Sequence, residues 1–194
     1  MFFPPSKSDL IKCLPLEEKE IHASPKNFDC EVLDGAAIVH FITPDTTKTT
    51  FQDYAKKSFI PYLETTLKNC DRVDIVFDRY NEDSIKSAVR EKRGSGIRFK
   101  VQAKGKLPTK WSDFLLVNEN KEELFQFLAK EIESHKFEEH KEVLVTFGSK
   151  VLTVNAPKMQ TCSHEEADSR IFIHIMESLD EGNNCILVRT VDTD

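Results

Sequence analysis

Seven carboxylates in this 194-residue chain fall where an apolar segment stops or a helix begins: Asp34, Asp78, Glu165, Glu166, Asp168, Asp192 and Asp194. Asp34 closes "CEVLD", Asp78 closes "RVDIVFD", and Asp192 and Asp194 follow "CILVRTV". Taken singly, each has an ordinary explanation. Aspartates at strand ends cap the next turn or helix, and acids in a first helical turn favour the positive end of the macrodipole. Ser163 and Glu166 have the S-x-x-E spacing of a capping box. Taken together they imply more. Carboxylates ~4 Å apart repel by about 4 kcal/mol per pair at an effective dielectric near 20. A fold that converges several must hold raised pKa values or bind divalent cations. An all-oxygen donor set without a matching His/Cys cluster suits Mg²⁺ or Mn²⁺ rather than zinc. Two such ions ~3.5–4 Å apart cleave phosphodiesters, one activating water and the other stabilising the leaving oxygen.

A second feature has the complementary charge. Between Lys86 and Lys110 there are nine Lys/Arg residues and one acid, Glu91, a local charge of +8. The chain as a whole carries −6, so the remainder carries −14. One concentrated basic segment on an acidic protein suits a polyanionic ligand, although a solvated basic loop would look the same by charge alone.

The elements that must position these groups alternate. "CEVLDGAAIVHFI" reads as a buried strand with Asp34-Gly35 at its end, and "TFQDYAKKSFIPYLETTLKN" as a helix that Pro61 kinks or splits. "RVDIVFD" is a strand, "EDSIKSAVREKRG" a helix closed by Gly94, and "SGIRFKVQAKGKLPTK" an irregular basic stretch. "ENKEELFQFLAKEIESH" places Leu124, Phe125, Leu128 and Ile132 on one helical face. "EVLVTFG" and "KVLTVNA" read as strands, "SHEEADSRIFIHIMESL" as a helix and "CILVRTV" as the last strand. Apolar strands alternating with helices imply a largely parallel sheet covered on both faces, a three-layer α/β/α domain. In such sheets ligands bind beyond the carboxyl ends of the strands, where the acids gather. Residues 1–29, with Pro4, Pro5, Pro15 and Pro25, read as a loosely ordered arm before a domain spanning 30–194.

Several classes find no support. No apolar run approaches the roughly 20 residues of a membrane span, and the charged, proline-bearing N-terminus is unlike a signal peptide. The expected compartment is intracellular, nucleus or cytoplasm. Five scattered cysteines without C-x-x-C suggest reduced thiols. Six dispersed glycines form no phosphate loop. Cys162 and His164 lack zinc spacing, and His174, between apolar residues, reads as a packed histidine. Phe99 and Trp111 flank the basic stretch and read as core residues before base-stacking ones. D-x-D after an apolar strand also marks nucleotide-sugar glycosyltransferases, but that leaves Asp34, Asp78 and the E-E-A-D helix unexplained.

The order "VLDGAA", "IVFDRY", "EEADSR", "RTVDTD" resembles the catalytic blocks of PIN-like nucleases of the flap endonuclease (FEN/XPG) type, over residues 31–194. More closely, it is similar to PIN-like proteins abundant in animal genomes and often embedded in mobile-element-derived genes. The resemblance implies a PIN-like domain and a metal-dependent endo- or exonuclease holding two Mg²⁺ or Mn²⁺ ions. Asp34, Asp78, Glu166, Asp168 and Asp192 would be catalytic, with Glu165 and Asp194 as further metal ligands. It places DNA- or RNA-gripping residues after the second acid, at Lys86, Arg90, Lys92 and Arg93, with Arg98 and Lys100 in the same basic stretch. Arg79 stands where the family commonly has glycine. The family's elements beyond the last block are missing from the chain, which implies a domain incomplete at its C-terminus. The alternative is a catalytically inactive PIN-like domain serving as a nucleic-acid-binding or scaffold module. Membrane and small-molecule cofactor partners are not expected.

Overall fold

Strand β1 (Phe28–Asp34) lies between two parallel neighbours, and its residues Cys30 to Leu33 are buried on both faces. This computed structural model describes residues 27–44, 50–79, 97–159, 161, 164 and 167–190. The reading of 82–94 as a helix closed by Gly94 therefore lies outside the described residues, as does most of the arm. Phe28 and Asp29, assigned to the arm by sequence, belong to β1.

After β1 come α1 (Gly35–Phe41) and α2 (Phe51–Tyr54), then a π-helical turn (Ala55–Phe59), α3 (Ile60–Thr66) and β2 (Cys70–Val76). The second half adds α4 (Trp111–Leu115), α5 (Asn118–Ser134), β3 (Glu142–Phe147), β4 (Lys150–Val154), α6 (Ala167–Asp180) and β5 (Ile186–Arg189). The five strands form one sheet in the order β4-β3-β2-β1-β5. Every neighbouring pair is parallel except the β3–β4 hairpin, whose tight turn uses Gly148 at φ 57°. The fold is therefore α/β with a mostly parallel sheet, as the apolar runs imply.

Helices cover both faces. On one, Leu33, Val73 and Ile75 join Leu63, Leu124 and Leu128 in the larger core. On the other, Cys30, Val32 and Val76 meet Ala167 and Ile171 of α6. Trp111 and Phe99 belong to the first core, and the Trp111 indole donates to the Val39 carbonyl at 3.0 Å. Burial pushes the Cys30 and Cys70 thiols up to about 12, which leaves them protonated and unreactive.

Two local departures have physical causes. The segment 35–41 is helical, not a continuation of the strand, because Asp34 caps it and turns the chain. The expected break at Pro61 is taken up by the π turn immediately before it, with Pro61 in the first turn of α3, where its missing N–H costs little. Among the described residues no helix is long and apolar enough to cross a membrane.

Candidate functional site

Asp34 and Asp78 reach the same edge of the sheet by the same route. Side chains alternate along a strand, so the series Cys30, Val32, Asp34 and Val76, Asp78 both face α6. In the β1–β2 register Asp34 sits opposite Val76, which places Asp78 two residues further along the neighbouring chain. Both carboxylates therefore lie on the α6 side of the sheet at its carboxyl edge.

Each carboxylate does local work. Asp34 Oδ1 accepts the N–H groups of Ala36 at 2.9 Å and Ala37 at 3.2 Å, capping α1. Asp78 Oδ1 accepts the Ala167 N–H at 2.7 Å, so the end of β2 caps a helix 89 residues away in sequence. Asp168, the next residue of α6, is exposed. The capping explanation offered for strand-end aspartates is thus met at both positions, and it brings the acids together. Burial pushes the Asp34 carboxyl above its ordinary value, the amides of Ala37 and Ala36 pull it down, and the charges of Asp78 and Asp168 raise it further. Asp34 therefore lies within electrostatic range of both other acids, with burial the larger cause of its shift.

Gly35 is required by this geometry. A Cβ there would stand 2.4 Å from the Phe77 ring, so only glycine lets the turn after β1 pass the end of β2. The Asp-Gly and Phe-Asp pairs of the two strands are packed against each other.

The remaining acids, Glu165, Glu166, Asp192 and Asp194, lie outside the described residues. Among the described residues alone, no group of three His, Cys, Asp or Glu side chains is assembled closely enough to hold a metal. Thr190, the last described residue, continues β5, whose Arg189 pairs in register with Leu33 beside Asp34.

The basic stretch splits in the same way. Lys86, Arg90, Lys92 and Arg93 lie outside the described residues. Arg98 is committed locally. Its guanidinium donates to Asn120 Oδ1 at 3.0 Å, bonds the Phe99 carbonyl and pairs with Glu123. Buried Asn120 also accepts the Phe99 N–H at 2.8 Å and donates to the Ile97 and Phe114 carbonyls. Arg98 therefore ties residues 97–101 to the first turns of α5, while Lys100 is exposed. Because α5 runs down into the start of β3, its first turns lie at the carboxyl edge of the sheet. Glu122 and Gln126 of α5 share a small cleft with Asp78 and Arg79.

Two polar features involve partners that the sequence does not reveal, although His174 reads there as a packed histidine and is 1% exposed. Arg170 of α6 reaches the carbonyls of Phe77 and Gly148. Arg72, Asp74 and His174 form a buried cluster on the α6 side. Helical spacing of 167, 170, 171, 174 and 178 places Arg170 and His174 on one buried face. That spacing was the available clue. Comparison with protein-family models, with curated proteins and with solved structures finds no match for this chain.

Proposed function

We propose that the chain is a PIN-like, FEN/XPG-type nuclease domain that cleaves DNA or RNA with divalent metal. The supporting observation is that Asp34, Asp78 and Asp168 lie at one carboxyl edge of a parallel sheet, with the Asp34 carboxyl raised first by burial and further by the charges of the other two. A half-buried acid near two other acids is costly to ionise unless a cation compensates it. The donor set is oxygen throughout and fits Mg²⁺ or Mn²⁺.

In this reading Asp34, Asp78 and Asp168 would hold metal together with Glu165, Glu166, Asp192 and Asp194. Oδ1 of Asp34 and of Asp78 each accepts helix amides, which orients both carboxylates before any cation binds. Bound metal supplies an activated water and charge compensation on the phosphate. The chain's own contribution is orientation. Each cap bond fixes a carboxylate rotamer, and the Gly35–Phe77 contact sets the spacing of the two strand ends. Lys100, with Lys86, Arg90, Lys92 and Arg93, supplies phosphate-neutralising charge, so binding would weaken steeply with salt.

The test is cleavage of single-stranded, duplex and flapped DNA and of RNA in Mg²⁺ or Mn²⁺. Activity should vanish with chelator and fall by at least about 100-fold in Asp34→Asn. Metal-independent cleavage, or an Asp34→Asn variant as active as the parent, would overturn the proposal. A second reading, an inactive nucleic-acid-binding module, draws on the capping duty of Asp34 and Asp78. It predicts salt-sensitive binding without cleavage at any metal concentration.

A further inference from the structure

Arg170 is 1% exposed, yet it carries a full charge into the interior beside the acid site. Its planar fork spans two strand ends. Nη1 donates to the Phe77 carbonyl at 3.0 Å and Nη2 to the Gly148 carbonyl at 2.9 Å. Phe77 is the residue before Asp78, and it lies past Val76, where the β2 ladder has ended. Its peptide is fixed by side chains instead. The Phe77 N–H donates to Thr146 Oγ1 at 2.7 Å, and its carbonyl takes Arg170.

The helix closes the loop. Arg170 is three residues beyond Ala167, whose N–H binds Asp78 Oδ1 at 2.7 Å, and two beyond Asp168. The start of α6 and the end of β2 are therefore joined at two points. One bond alone would leave a hinge, whereas two fix both the distance and the rotation of Asp168 relative to Asp78. An aliphatic residue would fill the same volume without the several kcal/mol needed to desolvate a guanidinium. Lysine would keep the charge but could not present two parallel donors in a rigid plane.

We propose that Arg170 is a positioning residue for the carboxylate site, clamping Asp78 and Asp168 into register by bridging Phe77 and Gly148. The inference rests on the reading of those acids as a metal site, and its test separates the two. Full-length wild type, Arg170→Met and Arg170→Lys are compared, after circular dichroism confirms folding. Mn²⁺ binding is followed by electron paramagnetic resonance. Exchange of the Ala167 amide is followed by NMR in metal-free protein.

Both variants should bind Mn²⁺ about 10-fold or more weakly than wild type, the usual consequence of losing an outer-shell partner. Both should also exchange the Ala167 amide faster while the α5 and β3 amides keep their protection. Lysine should fail to rescue either property. A folded Arg170→Met with wild-type Mn²⁺ affinity and wild-type Ala167 protection would overturn the proposal. If wild type binds no Mn²⁺, the metal reading falls, and Arg170 is judged on Ala167 alone: faster exchange supports the clamp and unchanged exchange overturns it. If both variants unfold, the wild-type Arg170 Nη protons decide, since fast exchange of those protons contradicts a two-carbonyl bridge.

Discussion

Gly35 shows how a single atom constrains the candidate site. Its missing Cβ leaves room for the Phe77 ring, the neighbour of Asp78, and its position after Asp34 lets that carboxylate turn back onto the amides of Ala36 and Ala37. Gly35→Ala should cost about 1–3 kcal/mol, as overpacking does in a tight interior, measured by urea unfolding. It should also displace Asp34 from Asp78, so the variant loses more activity than its stability loss explains. A Gly35→Ala protein with parental stability would contradict the close contact. Asp34 itself follows the opposite logic. Its carboxyl is raised, so its favourable contribution is present below the ordinary value of 3.8 and is lost as pH rises through the higher folded value. Asparagine caps helices about as well as aspartate. Asp34→Asn should therefore be at least as stable as wild type at pH 7 in metal-free buffer, while the cleavage proposed above should be abolished. A large drop in melting temperature would show that Asp34 serves the fold first.

At the scale of elements, α6 packs on β2 through a polar cluster beside the apolar contact of Val76 with Ala167 and Ile171. Asp74 is fully buried and receives Arg72 twice, Nε to Oδ1 at 2.7 Å and Nη2 to Oδ2 at 2.8 Å. His174 Nδ1 stands 2.7 Å from the same Oδ2, and Arg72 extends to Glu181 near the end of α6. The outward face of α6 is apolar at Phe172, Met176 and Leu179, so this helix reverses the usual amphipathic order. Breaking the pair from one side leaves a buried charge without its partner. Arg72→Met should cost about 3–5 kcal/mol, whereas the double variant Arg72→Met, Asp74→Leu should recover much of it. A double-mutant cycle measures this, and additive losses would refute the coupling. The helices and strands themselves were largely legible, because Leu124, Leu128 and Ile132 repeat at helical spacing and the strands are apolar runs. α4 was missed, since five residues are too few to show a period even with Trp111, Phe114 and Leu115 buried. The segment "AAIVHF" misled because its apolar run resembles a strand. The Asp34 cap decides otherwise.

For the whole molecule, the depressed carboxylates set the response to acid. Burial pushes the Asp74 carboxyl up, but the bonds from Arg72 and His174 together overcome it and hold it below the usual range. Asp29 is lowered by the Cys185 and Asn184 amides that tie the start of β5 to β1. Asp53 falls to about 2 through its bonds with Lys57 and Thr50. A lowered folded value means stability that is present above the ordinary 3.8 and lost as pH falls through the folded value. The fold should hold at pH 5 and lose stability progressively as pH falls below about 3.8 toward the lower folded values. The stability gap between wild type and Asp74→Asn should shrink over the same range. A gap that stays constant down to pH 2.5 would show that Asp74 is not the group being protonated.

Sequence alone determined the alternation of most strands and helices, the largely parallel sheet and the placing of Asp34 and Asp78 at strand ends. Each of these follows from local periodicity and from the cost of burying a charge inside an apolar run. Only the tertiary structure decided that Asp78 caps α6, that Gly35 makes room for Phe77, that Arg98 is spent on Glu123 and Asn120, and that Arg170 bridges two strands. These pairings join residues that are 22 to 93 positions apart. At such separations no local pattern marks a partner, and the contact exists only once the sheet has set its register.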